Sequence, residues 1–191
     1  MKFLFTLPIL LLTFACMAQI NKGQFLVGGS GTYSANTYRQ TDTKFRGLEI
    51  DGRGGILLLN KLATGIQFGY NYNKEFGTAE ITNQYFRQYD RSISAGPFVR
   101  YYFLGANSKI NLLADASYFH SWSKSGNLFG GSKWRSYGYA FAAGPALFLN
   151  PNVSLETTLN YEYNHEWFTS KTMRVKVGFQ IHLSKNKNIQ K

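Results

Sequence analysis

The chain has 191 residues and a formal net charge of +11, and aromatic residues make up 17% of it. Its mean hydropathy is −0.25, and beyond residue 18 no apolar run approaches the ~20 residues that a membrane-spanning helix needs, which excludes a helical membrane protein. The 19 glycines and the many tyrosines and phenylalanines favour an all-β protein with curved strands.

The N-terminus has the pattern of a secretion signal. Lys2 begins a short positive region, residues 3–14 form an apolar run too short to span a bilayer, and Cys16-Met17-Ala18 offers small residues at the −3 and −1 positions before Gln19. We therefore predict that residues 1–18 are a cleaved signal peptide. Cys16 is the single cysteine, so the mature chain would have neither a disulfide nor thiol chemistry.

A lipoprotein signal, with Cys16 as the acylated residue, is the alternative processing at this site. Thr13 stands where such signals usually carry leucine, which favours ordinary cleavage after Ala18.

Eight segments with alternating apolar and polar residues follow, separated by connections that are alternately long and short. Such alternation predicts strands with one apolar and one polar face. The predicted strands are residues 23–34, 44–58, 63–73, 88–103, 109–122, 134–149, 153–164 and 174–183. The long polar connections are predicted to be external loops, and the short ones periplasmic turns, as in an antiparallel barrel with both termini in the periplasm.

The last predicted strand has the most regular pattern. Its apolar face holds Met173, Val175, Val177, Phe179, Ile181 and Leu183, and its polar face holds Arg174, Lys176, Gly178, Gln180 and His182. A secreted β-sandwich would also alternate, but it would bury its apolar faces in a shared core and would not need segments of ~10 residues. The sequence therefore predicts an all-β fold, an eight-stranded antiparallel up-and-down transmembrane β-barrel.

Two prolines count against this interpretation. Pro97 and Pro145 each follow an Ala-Gly pair inside the fourth and sixth predicted strands. Proline is unusual in a central strand, so we expect both to mark β-bulges if the barrel is correct.

The mature chain resembles the small outer-membrane β-barrel proteins of the OmpA/OmpX-like porin superfamily. The resemblance rests on the segment Gly96-Pro97-Phe98-Val99-Arg100-Tyr101-Tyr102-Phe103 and on Lys176-x-Gly178-x-x-Ile181-x-Leu183, which is similar to the C-terminal insertion signal of such proteins. It implies a barrel over residues 19–183, insertion by the barrel assembly machinery and the outer membrane of a Gram-negative-type cell envelope. Residues 184–191, a short basic periplasmic tail, depart from relatives that stop at a terminal aromatic residue.

An eight-stranded barrel has an interior just wide enough for side chains to fill, so we expect a closed lumen. Buried charges must be paired, which predicts a luminal charge network. Its predicted members are Glu49, Asp51, Arg53, Asp90, Arg100, Asp115, Glu156, Glu162, Arg174 and Lys176. A narrow channel for small or amphipathic solutes is the alternative.

The positive charge is predicted to gather at the outer rim. Cations in or beside the external loops could bind phosphates of outer-membrane lipid and lipopolysaccharide, or could simply be solvated. They are Arg39, Lys44, Lys74, Lys124, Lys133 and Lys171. Despite a pI near 9.7, secretion and the absence of a recognised motif argue against a nucleic-acid partner, and we expect a monomer.

Catalysis is not predicted, and neither a cofactor nor a metal site is expected, because no nucleophile, phosphate-cradling or metal-ligand spacing occurs. His120 and Ser121 would have to share a face to act together, but adjacent strand residues point to opposite faces. His165 is placed in the fourth external loop. The predicted function is a structural or interaction protein that acts through its external loops, and a lipid A-modifying enzyme is the remaining alternative.

Overall fold

A computed structural model describes residues 20–38, 43–79, 84–105, 108–127, 130–165 and 169–183. The predicted signal peptide, Cys16, Arg39 and the predicted tail lie outside these residues. The described chain forms eight strands: β1 (Phe25–Tyr38), β2 (Thr43–Leu59), β3 (Leu62–Ala79), β4 (Gln84–Tyr102), β5 (Ile110–Asn127), β6 (Gly130–Asn150), β7 (Val153–His165) and β8 (Thr169–Leu183). Each pairs antiparallel with its sequence neighbours and β8 pairs with β1, so the sheet closes into an up-and-down barrel. The predicted fold class is confirmed.

Several strands are longer than predicted at the end of the barrel where β1 meets β2, which we call the hairpin end. β5 and β6 remain paired as far as Asn127 and Gly130, so most of the predicted third external loop is strand. His165 was wrongly placed in a loop, since it is the last residue of β7. The hydrophobic alternation fades there because both faces carry polar residues, although the backbone ladder continues.

The opposite end, which we call the turn end, has tight connections as predicted. Asn60 and Lys61 alone separate β2 from β3, and Lys61 takes a left-handed backbone conformation with φ of 73°. The residues between β6 and β7 are Pro151 and Asn152.

Both prolines lie in continuous strands, so the expectation of bulges was wrong. The pairing register between β4 and β5 is the same before and after Pro97, from Ala95 opposite His120 to Phe98 opposite Ser117. The register between β6 and β7 is likewise unchanged across Pro145. A Cβ added to the preceding Gly96 or Gly144 would overlap a carbonyl oxygen of the next strand, so glycine permits a close approach there.

The two faces of the strands differ in polarity around the barrel. Large apolar side chains cover the outside, among them Phe25, Ile50, Phe68, Ile93, Phe141, Leu159 and Phe179. The charged side chains of the predicted network point inwards. An apolar exterior around a polar interior is the arrangement of a transmembrane barrel, whose outer surface faces lipid. No helix in the described part of the chain is long and apolar enough to cross a membrane.

The closure between β1 and β8 is shorter than the other ladders. It runs from Phe25 opposite Leu183 to Ser30 opposite Gly178 and ends there. β1 continues to pair with β2 as far as Tyr38, and β8 pairs with β7 from Thr169 onwards. The barrel wall is therefore fully laddered at the turn end and incomplete between β1 and β8 towards the hairpin end.

Candidate functional site

An apolar layer closes the lumen at the turn end. Its members point inwards from the strand ends or, like Ile20, precede β1, and all are nearly inaccessible to solvent. They are Ile20, Leu26, Leu57, Ala63, Tyr102, Leu113, Ala146 and Phe148. We name this set the apolar plug. The sequence analysis did not predict the apolar plug, although apolar residues at inward positions near the turns could have indicated it.

Arg100 lies directly above the apolar plug, and its side chain is 1% exposed. Its Nε donates to Asp115 Oδ1 at 2.7 Å and its Nη2 to Asp115 Oδ2 at 2.8 Å, which makes a bidentate pair. Nη1 donates to Glu156 Oε1 at 2.8 Å and also reaches the hydroxyl of Tyr102 at 3.2 Å. Arg53 Nη1 donates to Asp115 Oδ2 at 2.7 Å. We name Arg53, Arg100, Asp115 and Glu156 the lower charge cluster.

His182 joins this layer from the last strand and was also missed as a site residue. It is fully buried, with its Nε2 3.5 Å from the Tyr102 hydroxyl and its ring 5.3 Å from that of Phe148. Gln180, one inward position higher on β8, accepts a hydrogen bond of 3.3 Å from Arg100. The inner face of β8 therefore completes the closure that β4, β5 and β7 begin.

A second set of ion pairs lies nearer the hairpin end. Arg174 Nη1 is 2.6 Å from Glu49 Oε2, and its Nη2 is 3.0 Å from Glu162 Oε2. Lys176 Nζ is 2.6 Å from both Glu49 Oε1 and Asp51 Oδ2. We name these five residues the upper charge cluster. The side chain of Arg174 is 35% exposed, against 1% for Arg100, so this cluster is much more open to water.

The predicted network thus divides into two clusters, and no ion pair between described residues joins them. Asp90, the tenth predicted member, lies on the inner face but has no ion pair within the described part of the chain. It lines a cavity of about 360 Å³ above the lower charge cluster. The cavity extends from Asp115 towards Ser123, Trp134 and Ser170 near the hairpin end.

The cavity wall is mainly polar and uncharged between the ion pairs. Its serine and asparagine side chains come from six strands and include Asn71, Ser94, Ser117, Ser121, Ser136, Asn160 and Ser170. Among the described strand residues, the cations of the inner face are all paired with carboxylates, as given above for Arg53, Arg100, Arg174 and Lys176. The cavity therefore offers hydroxyl and amide groups rather than a free positive charge.

The four residues of the predicted insertion signal occupy both faces of β8. Lys176 belongs to the upper charge cluster, and Gly178 faces inwards where a Cβ would lie 2.7 Å from the carbonyl oxygen of Gly29. Ile181 and Leu183 face outwards and are 39% and 48% exposed. Their role in insertion stays a prediction.

Basic residues gather on the outer face beside the aromatic residues of the hairpin end. We use the name basic collar for the outward-facing cations at this end, which are Lys44, Arg46, Lys74, Arg87, Arg91, Lys124, Lys133, Arg135 and Lys171. Lys74, Lys124 and Arg135 each lie two residues closer to the hairpin end than an outward aromatic residue of the same strand. All acidic residues of the described strands lie on the inner face instead, so the two surfaces differ in charge.

The histidine considered for catalysis lies outside the barrel. His120 faces outwards, with Nε2 3.2 Å from the Tyr118 hydroxyl, whereas Ser121 faces inwards and is 8% exposed. Their placement on opposite faces is as predicted. No group of three or more potential metal ligands lies together among the described residues.

No family model matches the sequence, and no curated protein matches it either. Solved structures do match the fold. The outer membrane protein OprG from Pseudomonas aeruginosa superposes with a TM-score of 0.58 at 10% identity, over 89% of this chain and 100% of that one. The fold is that of the small outer-membrane β-barrels. The N-terminal barrel domain of Pseudomonas aeruginosa OprF gives a TM-score of 0.51 at 12% identity, over 85% of this chain and 98% of that one. At these identities the likeness to small outer-membrane barrels establishes the fold alone.

Proposed function

We propose that this chain is an integral protein of the outer membrane of a Gram-negative-type cell envelope, with a lumen closed to solutes. In this proposal it acts as a structural or interaction protein through the hairpin end, it is a monomer, and it is inserted by the barrel assembly machinery. The observation that carries the proposal is the closure of the lumen by the apolar plug and the lower charge cluster.

The closure argues against a diffusion pore on two grounds. Arg100 and Phe148 are almost inaccessible to solvent, so no water-filled path passes between them in this conformation. A permeating solute would also have to separate Arg100 from Asp115 and Glu156, and leaving a buried charge unpaired costs several kcal/mol. The lumen at this level is therefore a packed interior, as expected for a barrel of eight strands.

The basic collar supports contact with lipid phosphates. Tyrosine and tryptophan mark the interfacial level of a barrel, and cations two residues closer to the hairpin end stand at the level of the headgroups. Because the acidic residues of the described strands face inwards, no carboxylate on the outer face of those strands offsets the collar. Phosphates of lipopolysaccharide would bind here, and salt would weaken the attachment.

Conductance of the refolded mature chain in a planar bilayer tests the closed lumen. We expect no steady openings of porin size, with a reconstituted general porin as the positive control. Steady openings at low voltage would contradict the proposal and favour the narrow channel. Lipid A extracted from cells with and without the protein should have the same acyl pattern, and an altered pattern would instead establish an enzyme.

A further inference from the structure

The wall between β1 and β8 has an unpaired stretch, although each strand is fully paired on its other side. The ladder between them stops at Ser30 opposite Gly178. Beyond that point, residues 31–38 of β1 bond to β2 and residues 169–177 of β8 bond to β7. We name the space between these two edges the seam.

Exposure of the edges agrees with a gap in the wall. Residues 31–37 of β1 are exposed on both faces, whereas inner and outer residues differ in exposure along β5, whose ladder to β6 is unbroken. Three apolar side chains flank the seam on the outside. Their exposed fractions are 63% for Tyr33, 67% for Met173 and 67% for Val175, which are larger than those of the other exposed large apolar side chains.

The seam lies at the depth of the apolar exterior. The outward residues of β8 remain apolar from Leu183 up to Met173, while the ladder to β1 ends at Gly178. Unpaired backbone at membrane depth is tolerated where it lines a water-filled cavity. Ser170, Thr172, Arg174 and Lys176 of the unpaired stretch line the cavity, whereas no β1 residue does.

Side chains join the two hairpins where the backbone does not. Arg174 and Lys176 of β8 reach past β1 to Glu49 and Asp51 of β2. These contacts are partly hydrated, so the upper charge cluster can hold the seam without excluding water from it.

We propose that the seam is a lateral opening between the cavity and the outer leaflet, and that it holds a single-chain amphiphile with an uncharged, hydroxyl-bearing head. The acyl chain lies along Tyr33, Met173 and Val175, and the head enters the cavity among serine and asparagine side chains. An anionic head is disfavoured because it would have to separate a cation of the upper charge cluster from its carboxylates. The route stops above the lower charge cluster and does not cross the membrane.

Cysteine labelling in lipid vesicles tests the opening, since residues 19–191 contain no cysteine. Thr32→Cys places a thiol on the inner face at the seam, and Ser117→Cys places one on the inner face at a residue that is paired with both neighbouring strands. A water-soluble maleimide is expected to label both, and a long-chain maleimide dissolved in the bilayer is expected to label Thr32→Cys at least tenfold faster. Equal rates with the long-chain reagent would overturn the opening.

A disulfide across the seam tests the ligand. Ala35 and Met173 would face each other if the ladder continued, so Ala35→Cys with Met173→Cys should close the seam. Val27→Cys with Ile181→Cys, within the existing ladder, is the matched control. Trp134 lines the cavity and reports binding once Trp122→Phe and Trp167→Phe remove the other tryptophans.

With protein in lipid nanodiscs, dodecyl maltoside should change the Trp134 emission saturably, and maltose or dodecyl sulfate should need at least tenfold higher concentrations. Relative to the same variant kept reduced, oxidation of the seam pair should weaken dodecyl maltoside binding at least tenfold, and reduction should reverse that change. Oxidation of the control pair should have no effect. Binding that is unchanged by the closed seam would overturn the proposal. Disulfide-linked dimers of Ala35→Cys alone would also overturn it, because a second copy would then cover the edge.

Discussion

The two halves of the lumen use the same residue types but differ in their access to water. At the turn end, Arg100 is enclosed by carboxylates above the apolar plug. At the hairpin end, Arg174 and Lys176 make equally short contacts beside an open cavity. Distance alone therefore does not tell what an ion pair contributes, because the cost of an unpaired charge depends on burial.

The largest effect is expected from Arg100→Met. The change leaves Asp115 and Glu156 without their central cation in a buried layer, which costs about 3–5 kcal/mol of unfolding free energy. Urea unfolding of the protein in lipid vesicles, followed by tryptophan fluorescence, measures the loss. A cost below about 1 kcal/mol would mean that the lower charge cluster is as hydrated as the upper one.

Phe148→Ala should have the next largest effect. It removes a large side chain from the apolar plug, and a cavity of this kind costs about 3 kcal/mol. Phe141→Ala on the same strand is the matched control, because Phe141 faces lipid and is 52% exposed. Equal losses for the two variants, measured by the same unfolding transition, would contradict the assignment of a packed plug.

Arg174→Met should lower the unfolding free energy by about 1 kcal/mol or less. The Arg174 side chain is partly exposed to water, and Lys176 still neutralises Glu49 in the variant. The cost should shrink further in about 1 M salt, where the Debye length falls to about 3 Å. The cost of Arg100→Met should hardly change with salt. Unfolding free energies of both variants at low and high ionic strength sharpen the distinction between the two clusters.

The smallest effect is expected from Asp90→Asn, within about 0.5 kcal/mol, because Asp90 has no ion pair in the described structure and faces the cavity. Asp115→Asn is the comparison, since Asp115 accepts from both Arg53 and Arg100. A large loss of unfolding free energy for Asp90→Asn would indicate that the cavity wall is not hydrated at this position.

Much of the fold could be predicted from local pattern. The inward positions of Glu49, Asp115 and Glu156 follow from alternation, which requires no knowledge of neighbouring strands. The ends of the strands could not be predicted well, because the hairpin end is polar on both faces and the pattern that marks a strand disappears there. The prolines misled the prediction because proline interrupts one ladder without changing the register.

The candidate site was less predictable than the fold. Arg174 and Glu49 are 125 residues apart in sequence, and their contact depends on how β8, β1 and β2 are staggered around the barrel. The absence of a partner for Asp90 depends on the same stagger. The apolar plug could have been noticed as inward leucines near the turns, but its closure of the lumen requires those strands to meet across the interior.

By itself, the sequence determined that eight strands alternate, which side chains face inwards and that cations outnumber acids on the outside. These properties depend on residue type and on a period of two along the chain. The tertiary structure decided which charges meet, how the lumen divides into a buried and a hydrated half, and where the ladder between β1 and β8 stops. Those features depend on strand stagger and barrel closure, which no single strand encodes.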